Sequence, residues 1–221
     1  MSKILMDAGK KWIKNPKVIL DLGARDCIES IEFSRAYPES KIYSFECNQE
    51  SIEICKQNIK DIKNITLITK ACREYTGKTI FFPVSTTPPR GYSPNIGASS
   101  IFKASGHMMT EPIYQTVTEV ECTRIDDWAK ENFITNVDVV WMDLQGAELL
   151  ALQGFGNLIY TVSVIHTEVT YRELYSGQDL YKELHNFLES NSFVQTYHGK
   201  AITVPDWFGE AVYVKKQLLS K

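Results

Sequence analysis

The sequence lacks an apolar run long enough to cross a membrane, since none approaches the roughly 20 residues that such a helix requires. Its first residues also lack the long apolar core of a secretory signal peptide. The five cysteines form no C-x-x-C pair, and their spacing from the histidines is not that of a zinc site. These absences predict a cytoplasmic protein whose cysteines are reduced and mostly buried.

An excess of basic residues is also absent. The chain has 24 Lys and Arg against 27 Asp and Glu, and this net charge of −3 gives no general attraction to nucleic acid. Hydrophobic residues make up 43% and charged residues 23% of the 221 residues, which is ordinary for a globular protein. Because we find no internal repeat, low-complexity tract or linker, we predict one domain over residues 1–221.

Short apolar runs alternate with helical patterns in both halves of the chain. Asp26, Asn48 and Asp179 are placed to cap helices, and Ile28, Ile31 and Ala36 are predicted to share one helix face. This order predicts an α/β fold with a doubly wound, mostly parallel sheet, closed by an antiparallel hairpin of residues 193–198 and 211–214. The earlier strands are predicted at residues 18–20, 42–45, 65–68, 80–84, 115–122, 137–142 and 162–165.

The middle of the chain has little periodicity. Residues 85–112 are rich in Ser, Thr, Pro and Gly. A segment of this length without regular structure is uncommon inside a compact domain, where it usually forms a lid or a binding loop. We therefore predict a lid or insertion at residues 85–112, while a surface excursion or an oligomer contact stays open as an alternative.

Polar groups follow four of the predicted strands. They are Asp21 with Gly23, Glu46, Asp143, and His166 with Glu168. Each could cap a helix or anchor a loop. Because ligands bind beyond the carboxyl ends of parallel strands, their coincidence favours a ligand site at that edge of the sheet.

The first of these turns, Asp21 to Cys27, has a single glycine. Dinucleotide-binding turns use three glycines so that a pyrophosphate can approach the helix, whereas Arg25 and Cys27 stand here at two of the positions. A carboxylate at the strand end would also repel a pyrophosphate. It suits S-adenosylmethionine, which carries a cationic amino group and a sulfonium. Glu46 is placed to accept hydrogen bonds from ribose hydroxyls, although it could simply be a solvated residue before a helix.

Six segments in order along the chain resemble the FkbM-type methyltransferase family. This family comprises S-adenosylmethionine-dependent enzymes that mostly O-methylate sugars and natural products. The most specific segment is Met142–Glu148, which is similar to the family's Asp-x-Glu-Gly-x-Glu motif. The matching segments are Val18–Ala24, Tyr43–Glu46 with Asn48, Gly97–Ser100, Thr123–Asp127, Trp141–Leu149 and Ile165–Glu168.

The resemblance implies a class I methyltransferase fold with a seven-stranded sheet, and a cofactor site with residues from four strand ends. The residues implied to bind S-adenosylmethionine are Asp21, Gly23, Ala24, Glu46, Cys72 and Asp143. It also implies a small-molecule or glycan acceptor and gives no reason to expect nucleic acid. The oligomeric state is left open.

Three residues are candidates for catalysis: Asp143, His166 and Glu168. His166 and Glu168 share a face of one strand, and imidazole ordinarily titrates near ~6.5, so His166 is the natural general base. A buried histidine hydrogen-bonded to the backbone is an equal alternative. Asp143 and Glu168 could act as a second base, anchor a hydroxyl or bind a divalent cation such as magnesium.

Two residues depart from the family pattern. Cys27 replaces a glycine in the first motif, and Gln145 replaces a glutamate in Met142–Glu148. Gln145 removes a charge, so the resemblance carries no metal or acid–base role to that position. Two alternatives to an active methyltransferase follow: a binding protein that keeps the fold without catalysis, and a nicotinamide-dependent oxidoreductase, against which the missing glycines count.

Overall fold

A computed structural model gives the structure, and it describes residues 11–84, 95–106, 113–200 and 207–219. The helices are α1 (Ile28–Ala36), α2 (Gln49–Ile59), α3 (Ile125–Glu131), α4 (Glu148–Gln153) and α5 (Tyr181–Ser190). The strands are β1 (Val18–Leu22), β2 (Lys41–Phe45), β3 (Ile65–Ile68), β4 (Ala71–Cys72), β5 (Gly77–Phe81), β6 (Thr118–Thr123), β7 (Val139–Met142), β8 (Val164–Thr170), β9 (Phe193–Lys200) and β10 (Phe208–Lys215).

A seven-stranded sheet forms the centre of the fold, in the order β3-β2-β1-β7-β8-β10-β9. The first five strands of this order run parallel to one another. Strand β10 pairs antiparallel with both β8 and β9. The predicted mostly parallel sheet with its antiparallel C-terminal hairpin is therefore confirmed. A second sheet, β4-β6-β5, was not predicted as a separate unit.

Apolar side chains cover both faces of the large sheet, because a parallel sheet between helices is buried on both sides. On one face Leu20 and Leu22 pack in a cluster with residues of α3, α4 and α5. On the other face Ile19 packs with Phe33 of α1. The alternation along β1 therefore places the side chain of Asp21 on the α1 side of the sheet.

Four local predictions were wrong. Cys27 and not Asp26 is at the cap position of α1, although the Asp26 side chain accepts a hydrogen bond from the Ile28 N–H. Ile28 is 46% exposed, because α1 turns Ser30 and Phe33 towards the sheet. Helix α5 begins after Leu180, whose N–H donates to Glu183, so Asp179 is not its cap. Strand β8 continues to Thr170 because β10 pairs with it up to that residue. His166 and Glu168 consequently lie within the strand and not beyond its end.

Part of the predicted lid belongs to the described structure. Residues 95–106 include a short 3-10 helix, Ile96–Ala98, and isolated bridges join Ser100 to Phe82 and Ala104 to Tyr175. Residues 85–94 and 107–112 lie outside the described residues, so the lid and the single domain stay predictions. The five cysteines are free, and Cys47 is the one that is not buried. No helix among the described ranges has the length and apolar character to cross a bilayer.

Gly154, at the end of α4, contacts α3 and the backbone of Arg73, the residue after β4. Its carbonyl oxygen accepts a hydrogen bond from the Asp126 N–H at 3.0 Å. A Cβ atom built on Gly154 would overlap the backbone carbonyl oxygen of Arg73. The backbone of Gly154 has a right-handed helical conformation, with φ −68°, so the absence of a side chain is required by space and not by backbone strain.

We expect Gly154→Ala to destabilise the protein by about 1–3 kcal/mol, because the methyl group has to displace the Arg73 backbone. At a glycine with an ordinary φ, alanine usually stabilises a protein by about 0.4–1 kcal/mol, so the sign of the change in the free energy of unfolding is informative. Urea unfolding followed by circular dichroism measures the difference. The neighbouring exposed Gln153→Ala is the control, and a Gly154→Ala protein as stable as wild type would contradict the close approach.

Candidate functional site

A cavity of about 230 Å³ lies at the carboxyl edge of the large sheet. The turns after β1, β2 and β7 line it, as do His166 of β8, Glu210 of β10 and the turn at residues 95–101, which we call the cover turn. Four carboxylates border the cavity, from Glu29, Glu46, Asp143 and Glu210, against two cationic side chains, Arg25 and Lys70. The cavity therefore favours a ligand that carries positive charge.

The turn after β1 is held in an unusual backbone conformation. Gly23 has φ +89°, and a Cβ at this position would overlap the carbonyl oxygen of Asp143 at the end of the neighbouring strand β7. Arg25 and Cys27 also have positive φ, at 49° and 60°. A left-handed conformation costs a non-glycine residue roughly 1–2 kcal/mol. Two of the positions at which dinucleotide-binding turns carry glycine thus keep a glycine-like backbone here.

Glu46 lines the cavity at the end of β2 and is held by backbone donors. Its Oε1 accepts hydrogen bonds from the N–H groups of Cys47 and Asn48, both at 2.8 Å. Its Oε2 accepts one from the Arg25 N–H at 2.8 Å. Burial raises the pKa of Glu46, and these three hydrogen bonds oppose that effect. A carboxylate offers about four acceptor positions, so one of them stays free on Oε2.

Asp21 and Ala24, both predicted to contact a cofactor, are buried and do not line the cavity. The carboxylate of Asp21 accepts a hydrogen bond from the Ser30 hydroxyl of α1, and Ser30 is in turn hydrogen-bonded to the Ser44 hydroxyl at 2.6 Å. Burial raises the pKa of Asp21 to about 7. Asp21 therefore connects β1 to α1 and β2 behind the cavity wall.

Cys72, which was predicted to contact a cofactor, lies in the cavity wall together with Ala71 and Phe81. The Cys72 side chain is buried, and burial raises the pKa of its thiol. The residue therefore stays a neutral thiol and behaves as a small apolar group. These three residues make one side of the cavity apolar, which suits the flat face of an aromatic ring.

The turn after β7 brings Asp143 to the cavity. Asp143 is open to the water of the cavity yet lies deep within the protein, and this loss of bulk solvent raises its pKa, with a further contribution from Glu210. Two residues on, Gln145 has φ 52° and Gly146 has φ 97°. This left-handed turn directs the Leu144 and Gly146 N–H groups to Glu148, at 2.7 and 3.0 Å.

Asp143, Glu148 and Glu168 form a carboxylate cluster, since one oxygen of each lies within 4.8 Å of the others. Burial and the charge of Asp143 raise the pKa of Glu148 to about 7 and the pKa of Glu168 well above its ordinary value. Glu168 does not line the large cavity but a small one beside it, with Glu148. An amide N–H of Gln145 already donates to Asp143 at 2.6 Å and to Glu168 at 3.3 Å.

His166 is 5% exposed and its ring lies on the indole of Trp141, with ring centroids 3.8 Å apart. Its Nε2 is 2.8 Å from Oε2 of Glu210, but the two groups are not aligned for a hydrogen bond. Both ring nitrogens are consequently buried without a hydrogen-bond partner among the described residues. A buried nitrogen of this kind at a cavity wall is available to a ligand.

The cover turn forms hydrogen bonds with residues on two sides of the cavity. The Asn48 amide donates to the Ser99 hydroxyl at 3.3 Å, and the Ser100 hydroxyl donates to the Gln145 carbonyl oxygen at 2.8 Å. Tyr175 is buried, and its hydroxyl has the Ala98 carbonyl oxygen at 3.0 Å as an acceptor. The segment Gly97–Ser100, which lies within the predicted lid, therefore forms part of the cavity wall.

The structure brings Gly23, Glu46, Cys72, Asp143 and His166 together around one cavity, and leaves Asp21, Ala24 and Glu168 outside its wall. Their roles stay predictions. Glu210 and Trp141 are site residues to which sequence reasoning assigned no role. A carboxylate within the final hairpin was the signal for Glu210, but the sequence does not show which strand pairs with β8.

Comparison with known proteins identifies relatives of the chain. The family described as "Methyltransferase FkbM domain" matches residues 21–194. A curated protein, the 2-O-methyltransferase NoeI of Sinorhizobium fredii, is 28% identical over 170 residues, which cover 75% of this chain and 68% of NoeI. The residues around the cavity lie inside the matched region, with the exception of Glu210.

Solved structures share the fold. An rRNA methylase from Streptococcus thermophilus aligns with 96% of this chain and 94% of its own, at a TM-score of 0.56 and 9% identity. TrmK of M. capricolum, solved with S-adenosyl-homocysteine, aligns with 96% of this chain and 67% of its own, at a TM-score of 0.52 and 14% identity. At these identities the likeness shows the fold alone, which is that of class I methyltransferases.

The buried Asp21 predicts a pH-dependent difference between wild type and Asp21→Asn. The carboxyl group binds its proton more tightly in the folded chain, with a pKa of about 7 against 3.8, so its contribution to stability is present below pH 3.8 and is lost as the pH rises through about 7. The amide of the variant is never ionised and can still accept from Ser30. We expect equal stability near pH 4 and a more stable variant at pH 8, by a few kcal/mol at about 1.36 kcal/mol per pKa unit.

Urea unfolding at several pH values measures this difference. The exposed Asp61→Asn removes the same charge and is the control. An Asp21→Asn protein whose stability runs parallel to that of wild type from pH 4 to pH 8 would contradict the buried, protonated carboxyl group.

Proposed function

Because the chain belongs to the methyltransferase FkbM family, we propose that it transfers the methyl group of S-adenosylmethionine to a hydroxyl of a sugar or small natural product. The observation that carries this proposal is the carboxylate-bordered cavity at the carboxyl ends of β1, β2 and β7. S-adenosylmethionine has two cationic groups and no phosphate, so it fits this donor set better than a nicotinamide dinucleotide does.

Glu46 is proposed to bind the ribose of the cofactor. Three of its acceptor positions are filled by the N–H groups of Arg25, Cys47 and Asn48, so the free position on Oε2 can accept from one ribose hydroxyl. Cys72, Ala71 and Phe81 are proposed to contact the adenine ring along the apolar wall. Gly23 lines the cavity where β1 closely approaches the backbone of Asp143, and the Asp143 carboxylate beside it can accept from the amino group at the methionine end of the cofactor.

His166 is proposed to remove the proton of the acceptor hydroxyl. When bound, the cofactor supplies an electrophilic methyl group on a sulfonium. Nδ1 of His166 is proposed to accept the hydrogen bond from the incoming hydroxyl, since it has no hydrogen-bond partner among the described residues and Nε2 faces Glu210. Glu210, 2.8 Å from Nε2, then stabilises the imidazolium by its negative charge. The stacking of Trp141 on His166 fixes the plane of the ring.

A hydroxyl acceptor is supported by two further observations. The curated relative NoeI is named a 2-O-methyltransferase, and the cover turn closes one side of the cavity, which limits the access of competing water. Asp143 faces the cavity and can hold a second hydroxyl of the acceptor, as is needed to align a sugar. Glu168 lies outside the cavity and is proposed to act through its neighbours.

Cofactor binding is tested by isothermal titration with S-adenosylhomocysteine. We expect Glu46→Ala to weaken binding by about 1.5–3 kcal/mol, or roughly 10- to 150-fold, because a charged hydrogen bond and the support of the Arg25 turn are lost. The exposed Glu53→Ala on α2 removes the same charge and should bind as wild type. Absence of binding by the wild-type protein at millimolar ligand would contradict the proposed function.

The role of His166 is tested with His166→Gln. We expect turnover to fall by about 10²- to 10⁴-fold while the affinity for S-adenosylhomocysteine stays within a factor of about three, because proton removal and not cofactor binding is lost. The assay follows transfer of the labelled methyl group to a panel of mono- and oligosaccharides and hydroxylated natural products. Wild-type turnover by His166→Gln, on an acceptor that the wild-type enzyme labels, would exclude His166 as the base.

A further inference from the structure

The geometry of the carboxylate cluster assigns a function to Gln145. We propose that the side-chain amide of Gln145 occupies the position of a cation between Asp143 and Glu168, so that this enzyme needs no divalent metal ion. Gln145 is then a positioning residue that holds Asp143 towards the cavity. The positioning role rests on the proposed function, whereas the substitution for a cation does not.

The amide makes contacts that a bridging cation would make. Nε2 of Gln145 is 2.6 Å from Oδ1 of Asp143 and 3.3 Å from Oε2 of Glu168. An amide nitrogen has two N–H donors, one for each carboxylate. A cation placed between the same two oxygens would have to displace this nitrogen. Gln145 thus cross-links β7 and β8 through hydrogen bonds alone.

The surroundings of Gln145 fix the direction of the amide. The single O–H of Tyr175 has two acceptors, Oε1 of Gln145 at 2.8 Å and the Ala98 carbonyl oxygen at 3.0 Å, and the contact with Oε1 places the oxygen end of the amide away from the carboxylates. The backbone of Gln145 is held by the Ser100 hydroxyl, which donates to its carbonyl oxygen. Hydrogen bonds therefore hold the amide oxygen and the backbone of Gln145, and the amide nitrogen faces Asp143 and Glu168.

The third member of the carboxylate cluster is satisfied in another way. Both oxygens of Glu148 accept from backbone N–H groups, Oε1 from Leu144 at 2.7 Å and Oε2 from Gly146 at 3.0 Å. Each carboxylate in the cluster thus has at least one protein hydrogen-bond donor.

Replacement of the Gln145 amide by a carboxylate is expected to make the carboxylate cluster bind a divalent cation. In Gln145→Glu a fourth carboxyl group would face Asp143 and Glu168 in place of the amide donor. Oxygen ligands from several carboxylates are what Mg²⁺ and Mn²⁺ prefer. We expect the variant to bind either ion at least about tenfold more tightly than wild type, and to be stabilised by it against heat.

The experiment measures Mn²⁺ binding by electron paramagnetic resonance and the unfolding temperature in EDTA and in millimolar Mg²⁺. Wild type should show no difference between the two solutions in unfolding temperature or in affinity for S-adenosylhomocysteine. Gln145→Glu should be stabilised by the ion, and Gln145→Ala, with neither amide nor carboxylate, should not respond. The exposed Gln153→Glu introduces the same charge outside the carboxylate cluster and is the matched control.

Turnover distinguishes positioning from stability. We expect Gln145→Ala to lower kcat by at least about tenfold and to raise the KM for the cofactor, because Asp143 is the proposed acceptor of the cofactor's amino group, and we expect Mg²⁺ to restore activity to Gln145→Glu alone. A wild-type enzyme that EDTA inactivates and Mg²⁺ restores would overturn the proposal. So would a folded Gln145→Glu variant that does not respond to metal. If the variant does not fold in either solution, the wild-type measurement decides. Failure of the wild type to bind S-adenosylhomocysteine would contradict the proposed function and leave the metal result intact.

Discussion

The crowding of carboxylates beside the cavity is the constraint on which this site depends. Burial and the charges of neighbouring carboxylates raise the pKa values of Asp143, Glu148 and Glu168. Acids in such numbers are tolerated when each has a hydrogen-bond donor and some of the charge is removed by protonation. Backbone N–H groups and one side-chain amide supply those donors, so the loops around the cavity have the shapes that aim them.

The residues with a left-handed backbone in the turns after β1 and β7 are a consequence of this requirement. The positive φ at Arg25 accompanies an N–H that reaches Glu46, and the positive φ at Gln145 accompanies the N–H groups that reach Glu148. Such backbone is unfavourable for residues with a Cβ atom and persists where the surrounding structure fixes it. Sheet pairing on one side and the cover turn on the other provide that fixation, so that rigidity and ligand binding are achieved by the same contacts.

Local patterns in the sequence were sufficient for the large sheet and for part of the cavity. A lone glycine after a buried strand located Gly23, and an acid at the end of the next strand located Glu46, because both depend on short-range periodicity. Strand β4 has two residues, too few for any periodicity, so the smaller sheet was not foreseen. Asp21 was expected to face a ligand, but strand alternation turns it to α1. Glu210 depends on antiparallel register with β8, which no local pattern encodes.

The position of β10 between β8 and β9 has a consequence for the assembly of the protein during translation. Strand β9 is synthesised before β10 but pairs with β10, so it has no partner in the sheet until the later strand has emerged from the ribosome. The nascent chain therefore exposes an unpaired strand for the time needed to translate residues 201–215. His166 acquires Glu210 in the same late step, which means that the sheet is completed and the histidine gains its acidic neighbour together.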